Sequence, residues 1–355
     1  MSQPVSDLRR YNLALLGFGN VGQAFAQLLT RKKKALARQR GVDLRVVGIA
    51  TGSHGQAVDP QGLPLSEALK LRSEGRSLET LTALQVEGGE DFIRRCGADV
   101  LLESTPVNYQ TGEPALSYLK TALESGMHAV TANKGPVVHG YRELDQLAVR
   151  QGLSFYFEST VMDGAPVFSL ARCGMPGAKI TGFQGVLNST TNLILTRMES
   201  GETQEDAVAY AQSIGIAETD PSGDVDGWDA AVKVAALVTV LMDIPLTPDQ
   251  VDRTGIRGLT LDQVQQAAAD QQRWKLVCTA RKADAQHAER SPAVTASVAP
   301  QRVDVNSPLY QVSGTSSVLQ IESDVLGTLS LREEDPTPLT TAYGLLADTL
   351  NALSR

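Results

Sequence analysis

Six residues near the start of the chain, Gly17-Phe18-Gly19-Asn20-Val21-Gly22, constrain its fold more than any other stretch. They stand between a short apolar run, residues 12–16, and a helical pattern over residues 21–38 with apolar positions at Val21, Phe25, Leu28 and Leu29. Strand, GxGxxG and helix in that order form the context that a dinucleotide needs. Gly17 admits the tight turn, Gly19 lets backbone approach a pyrophosphate, and Gly22 lets helix and strand pack closely. The phosphates then sit at the helix N-terminus. An ordinary glycine-rich βα turn is the structural alternative.

The residues that follow extend this reading. The basic run Arg31-Lys32-Lys33-Lys34 lies at the far end of the helix, where cations suit the dipole and phosphates do not belong. Residues 44–50 predict a second strand. It ends in Ala50-Thr51-Gly52-Ser53-His54-Gly55, without the carboxylate that usually holds a ribose 2′-hydroxyl. That absence leans toward NADP or toward use of both NADP and NAD; Thr51 and Ser53 are cofactor candidates, and His54 reads as a loop histidine. Short helices are expected over 59–84 and a buried strand over 99–103. Thr105 and Pro106 follow it, where such strands hand over to cofactor and substrate. A helix over 114–124 and a strand over 128–131 lead to Asn133-Lys134. Lys134 at that edge points at a ligand crevice or is a solvent-facing loop lysine.

Residue 158 opens a new region after a strand at 154–158. A strand over 180–187 precedes Asn188-Ser189-Thr190-Thr191-Asn192 and a helix over 193–198. The amide- and hydroxyl-rich turn either caps that helix or binds polar substrate groups. Further on, a helix over 262–270 and strands over 273–283, 293–299, 309–312, 318–322 and 327–331 are expected, then a terminal helix over 341–353.

Between these lies residues 211–233, AQSIGIAETDPSGDVDGWDAAVK. It gathers Glu218, Asp220, Asp224, Asp226 and Asp229 into a loop punctuated by Pro221, Gly223 and Gly227. Residues 228–242 then read as a buried helix carrying one lysine, Lys233. Asp229 and Lys233 are four apart and share a helix face. They form either a structural ion pair or a lysine of tuned proton affinity beside substrate-binding carboxylates.

Composition narrows the class. The 355 residues allow two domains; 42% are hydrophobic and 20% charged, fitting a globular core. A net charge of −8 argues against a nucleic-acid partner. Cys96, Cys173 and Cys278 are widely spaced and show neither zinc spacing nor a disulfide framework, so a cytoplasmic setting is expected. The first residues lack a signal-peptide core, and the longest apolar run is too short to span a bilayer.

With these motifs assembled, the chain resembles homoserine dehydrogenase over nearly its whole length. The family signature is carried by Ala211, Gly215, Asp220-Pro221, Asp224, Gly227, Asp229 and Lys233. Thr105-Pro106 with Gly112-Glu113-Pro114, Thr131-Ala132-Asn133-Lys134, the Glu158 segment and residues 188–192 add to it. The resemblance implies an α/β chain: a Rossmann-type nucleotide-binding domain, residues 1–156 with 308–355, plus an α+β substrate and dimerisation domain with a mixed sheet, residues 157–307. It implies NAD(P)-linked interconversion of L-aspartate 4-semialdehyde and L-homoserine by a homodimer. Lys233 is then the acid/base and Lys134 a second cation. Glu218, Asp224, Asp229, Asn188 and Thr191 bind substrate, and Gly215 joins the glycine motif on the cofactor. A monovalent cation, usually sodium, is implied at Glu158, Val161, Asp163 and Ala165, held mostly by backbone carbonyls.

Two departures stand out. Val161-Met162-Asp163-Gly164 replaces the family's VGGG, and Arg332-Glu333-Glu334-Asp335-Pro336-Thr337-Pro338 replaces a glycine-rich loop before the last helix. No fused kinase or regulatory domain is expected. A nucleotide-binding sensor without turnover and a reductase of another semialdehyde are the competing readings. The retained lysines and the acidic segment weigh against them.

Overall fold

A computed structural model describes residues 8–283 and 293–354; the first seven residues, read above for a signal peptide, lie outside the described residues. The chain forms two units, Met1–Gly164 with Thr337–Arg355, and Ala165–Pro336.

The first unit is a doubly wound sheet. Its strands are β1 (Arg9–Leu16), β2 (Val42–Ala50), β3 (Gln56–Val58), β4 (Val100–Glu103), β5 (His128–Thr131) and β6 (Phe155–Tyr156). They lie in the order β3-β2-β1-β4-β5-β6. All neighbours are parallel except β3, which runs antiparallel on β2. The order reverses between β1 and β4, so ligands belong at the carboxyl ends of those strands. The crossovers are α1 (Asn20–Arg40), then α2 (Leu65–Ser73) and α3 (Gly88–Arg95), then α4 (Ala115–Glu124) and α5 (Lys134–Gln151). Leu13, Leu15, Phe25, Leu28, Leu29, Ile49, Leu102 and Val130 share one core. Burying each such side chain stabilises by about 1.5–3 kcal/mol. The basic run at 31–34 is exposed, as the helix-end reading requires.

The second unit carries α6 (Val167–Ser169), β7 (Ile180–Val186), α7 (Ser189–Glu199), α8 (Gln204–Ser213), α9 (Ser222–Val225) and α10 (Trp228–Leu241). After these come β8 (Asp252–Arg253), α11 (Leu261–Ala269), β9 (Gln272–Lys282), β10 (Val294–Asp304), β11 (Ser317–Ser323) and β12 (Gly327–Glu333). Its sheet runs β12-β11-β7-β9-β10-β8, antiparallel but for β8 on β10. Helices α7, α10 and α11 pack on β9.

Four expectations change. Residues 308–336 belong to the second unit, because β11 pairs with β7 and β12 with β11; only α12 (Pro338–Ala352) rejoins the first unit, packing on α1. The first boundary likewise falls at Gly164 rather than at residue 156. Residues 309–312 are a turn, not a strand: Leu309 and Val312 fill a cluster with Val186, Val277 and Val318, and that burial imitates strand alternation. The strand expected over 154–158 keeps only Phe155–Tyr156, since Glu158–Thr160 curls into a 3-10 turn.

Candidate active site

In the first unit, β1 ends in the glycine hexad. Gly17 takes φ +104, and a Cβ there would meet the Ser104 carbonyl at 2.5 Å, so only glycine fits. A Cβ on Gly22 would strike the Gly17 carbonyl, which is the close helix–strand approach that the spacing predicts. Gly19 has open space on its Cβ side, and no side chain caps α1. Bare backbone N–H groups therefore face that opening, beside Asn20 and Val21 in the first turn, and the cradle fits a dinucleotide pyrophosphate. The Phe18 ring is buried in the core; its carbonyl accepts from Gln23 Nε2 at 3.2 Å and from Arg72 Nε at 3.4 Å. Sequence reasoning missed Arg72, because nothing in the chain marks a residue on α2 as a neighbour of this loop. At the end of β2, Thr51 donates to the Gly55 carbonyl at 2.9 Å, and Ser53 shares a hydrogen bond of 2.7 Å with His54 Nδ1. These bonds close the turn.

The ends of β4 and β5 form a crest. Glu103, fully buried, accepts from the Thr105 N–H at 2.7 Å and the Thr105 hydroxyl at 2.5 Å through Oε1. Its Oε2 accepts from the Thr131 hydroxyl at 2.5 Å. Thr131 in turn accepts from the Asn133 N–H at 2.9 Å, and Asn133 caps α5 by accepting from the Gly135 N–H at 3.0 Å. Asn133 Nδ2 reaches the Thr105 carbonyl at 3.2 Å, fixing Pro106 in the exposed connection. Lys134 is the first residue of α5, half-buried. Burial raises the Glu103 proton affinity, opposed by the hydrogen bonds from Thr105, Thr131 and Asn133. Sequence reading treated Glu103 only as a strand end.

The second unit sorts the acidic stretch into outward and inward groups. Asp220 accepts from the Ser222 N–H at 3.0 Å, and Asp226 receives Arg257 in a fork at 2.7 and 3.1 Å. Asp224 and Asp229 turn instead to Asn188, whose Nδ2 donates to them at 2.6 and 2.9 Å. Asn188 Oδ1 accepts from the Thr191 N–H and hydroxyl, both at 2.8 Å. Helix α7 thus begins at Ser189 with Asn188 as its cap, so the turn expected over residues 188–192 is the first turn of the helix itself. The amide has spent both hydrogens, and Thr191 is wholly buried. Asn188 and Thr191, two of the five residues expected to bind substrate, thus bond within the cradle.

Lys233 lies against Asp229 at 3.1 Å and donates to the Leu187 carbonyl at 2.6 Å, with 13% of its side chain exposed. Burial and then the charge of Asp229 raise the Asp224 proton affinity, opposed by Asn188, Thr190 and Lys233. Beside them Cys278, unmarked in the sequence, is sealed and its thiol pushed up to about 12 by burial. Two carboxylates held together by one amide, with a lysine on the second, make a cradle for a small ammonium compound and a proton donor at its edge. Glu218 stays exposed; its carbonyl accepts from Gln212, and no described hydrogen bond joins its carboxylate to the cradle. Gly215, expected on the cofactor, takes φ +74 just past the end of α8, a role in helix termination.

The positions expected around sodium, Glu158, Val161, Asp163 and Ala165, follow β6 in the chain. Asp163 accepts from the Thr341 hydroxyl at 2.7 Å, the Glu158 N–H donates to Asp348 at 2.7 Å, Val161 is buried, and the Ala165 carbonyl accepts from the Val167 N–H at 2.8 Å. Among the described residues no three His, Cys, Asp or Glu side chains gather as metal ligands. The Arg332–Pro338 departure resolves into ordinary structure: β12 runs to Glu333, and Pro338 opens α12 behind the Thr337 capping box.

Comparison with known proteins agrees with both halves. Residues 17–158 match the family model for the homoserine dehydrogenase NAD-binding domain, and residues 166–350 match the one for homoserine dehydrogenase. The chain is 36% identical over 346 residues to an NAD(+)-dependent homoserine dehydrogenase of Pseudomonas canavaninivorans, covering 97% of this chain and 96% of that one. It is 32% identical to a homoserine dehydrogenase of Methanocaldococcus jannaschii, covering 96% and 98%. A hyperthermophilic archaeal homoserine dehydrogenase in complex with NADPH superposes with a TM-score of 0.80 at 29% identity, covering 97% and 98%.

Proposed function

The chain belongs to the homoserine dehydrogenase family of NAD(P)-dependent oxidoreductases, and from that premise we propose that it reduces L-aspartate 4-semialdehyde reversibly to L-homoserine with Lys233 as acid/base. The observation that carries this reading is the Asn188–Asp224–Asp229–Lys233 constellation. The substrate is a small amino acid whose ammonium needs anions, and Asp224 and Asp229 supply them. Asn188 and Thr191 keep the two carboxylates in place against their mutual repulsion. Lys233 has three N–H donors. Asp229 and the Leu187 carbonyl take two, leaving the third for the reacting oxygen. In reduction Lys233 gives that oxygen a proton; in oxidation it takes one back. Asp229 and the Leu187 carbonyl hold the Lys233 ammonium in place for that transfer. Lys134, at the start of α5, is read as a second cation serving cofactor and substrate. When bound, NAD(P) supplies the hydride.

We read the cofactor preference as leaning to NADP. The turn after β2 has no carboxylate to repel a 2′-phosphate, and Arg72 brings a cation to the glycine loop. A relative that is NAD(+)-dependent and a neighbour in complex with NADPH keep both cofactors in the family's range. Homodimer formation and a cytoplasmic setting belong to the same reading; sodium has no step in it.

Initial rates of NADPH and NADH oxidation with L-aspartate 4-semialdehyde test it, run beside Lys233→Ala. Turnover that vanishes in a folded variant supports the reading, and the rate ratio gives the preference. A folded wild type without turnover on either cofactor overturns it.

A further inference from the structure

Glu103 is a fully buried ionisable group that the proposed chemistry leaves unused, and donors converge on it from the ends of two strands. Three donors converge on it: the Thr105 N–H, the Thr105 hydroxyl and the Thr131 hydroxyl. An ionised carboxylate is acceptor-only and suits such convergence. Both hydroxyl contacts measure 2.5 Å, at the short end of O–H···O bonds and within the range of charge-assisted ones. Burial is the larger influence and raises its proton affinity, while the hydrogen bonds from Thr105, Thr131 and Asn133 work to keep it charged.

The position matters as much as the charge. Glu103 ends β4, next to β1, where the strand order reverses. Pyrophosphate belongs on α1 and the adenosine ribose at the end of β2, so the nicotinamide end lies toward β4 and β5. The crest above Glu103 is the Thr105–Thr131–Asn133 network, and Asn133 sets the start of α5 and with it Lys134. Oxidised nicotinamide carries a positive charge; the reduced ring does not. A fixed anion beneath it distinguishes the two forms, more strongly in a dry interior than in water.

We propose that Glu103 is a positioning residue for the cofactor: an ionised, sealed carboxylate that holds the β4–β5 crest and favours the oxidised nicotinamide over the reduced one. This rests on NAD(P) binding in the proposed place. A residue that merely stabilises the fold weakens both cofactor forms alike, whereas this role moves their ratio.

The test is the Kd of NADP and of NADPH, measured by titration calorimetry on the full chain, wild type against Glu103→Gln and Glu103→Asp. The ratio of oxidised to reduced Kd is expected to rise about tenfold in Glu103→Gln, which loses the charge, and to stay within about twofold in Glu103→Asp, which keeps it. An unchanged ratio in Glu103→Gln, with both forms still bound, overturns the inference and leaves the proposed function standing. A folded wild type that binds neither form overturns the proposed function itself. Should Glu103→Gln not fold, Thr131→Val carries the test. Loss of one hydroxyl donor pushes the carboxyl toward its neutral form, and the ratio rises in the same direction. A ratio that stays at the wild-type value in that variant overturns the proposal.

Discussion

Lys233 on α10 and Lys275 on β9 interrupt apolar runs of the same unit, and the fold gives them opposite characters. Lys233 keeps an ionic partner, Asp229, at 3.1 Å and a little exposure. Lys275 is wholly buried and donates to neutral oxygens, Asn192 Oδ1 at 2.9 Å and the Val312 carbonyl. Burial, and then the charge of Arg273, lower its pKa from 10.5 to about 7. Nearby Glu199 is taken by Arg273, with Nε at 2.9 Å from each carboxylate oxygen. Asn192 Nδ2 reaches the Gly314 and Ser316 carbonyls at 3.0 and 3.1 Å, so Lys275 ties the segment before β11 to α7. Lowered proton affinity alone does not mark a catalytic lysine. The proposed role of Lys233 rests instead on the carboxylate cradle beside it.

The sharpest way to break this contrast is Lys233→Ala. The expected loss in kcat is about 10²–10⁴-fold with NADPH affinity near wild type, read by steady-state rates and fluorescence titration. A loss of that size in Lys275→Met, at wild-type stability, would reverse the two roles.

Asn188→Ala comes next. Without the amide, Asp224 and Asp229 repel and separate, and kcat/KM falls about 10²-fold, as misplacement by an ångström can cause. Asn188 lowers the Asp224 proton affinity, so its removal raises that affinity further. The acid limb of the kcat/KM profile then moves to higher pH, and a profile that keeps its wild-type limb argues against Asp224 as an active anion.

Lys275→Met acts on stability. The folded pKa of about 7 lies below the unfolded value near 10.5. Between them the unfolded chain holds a proton that the folded chain does not, so this group makes stability rise with pH from 7 to 10.5 and be lost as pH falls toward 7. The slope reaches about 1.4 kcal/mol per pH unit, and the variant flattens it in urea titrations over that range. Above pH 10.5 the variant is the less stable by about 1–3 kcal/mol, because Asn192 Oδ1 and the Val312 carbonyl lose their donor. The smallest effect belongs to a third lysine. Lys120 pairs with Glu143 at 2.6 Å on the surface, and Lys120→Ala leaves both turnover and melting temperature at wild-type values.

Sequence by itself determined the order of the first unit and the candidates of the second. The glycine hexad, the apolar runs at β1, β2, β4 and β5, and the i,i+4 spacing of Asp229 and Lys233 are local patterns, and local backbone geometry follows from them. Tertiary structure alone decided which acids face the lysine. Asp220, Asp224 and Asp226 alternate along one short segment, yet only Asp224 meets Asn188, which is distant in sequence and brought near by β7 and α7. It also decided that Glu103 is sealed by Thr131, that Lys275 donates to neutral oxygens while Lys233 meets a carboxylate, and that residues 308–336 join the second unit. Each of these depends on what a side chain meets across the fold, and the free energy of burying a charge is set by those neighbours.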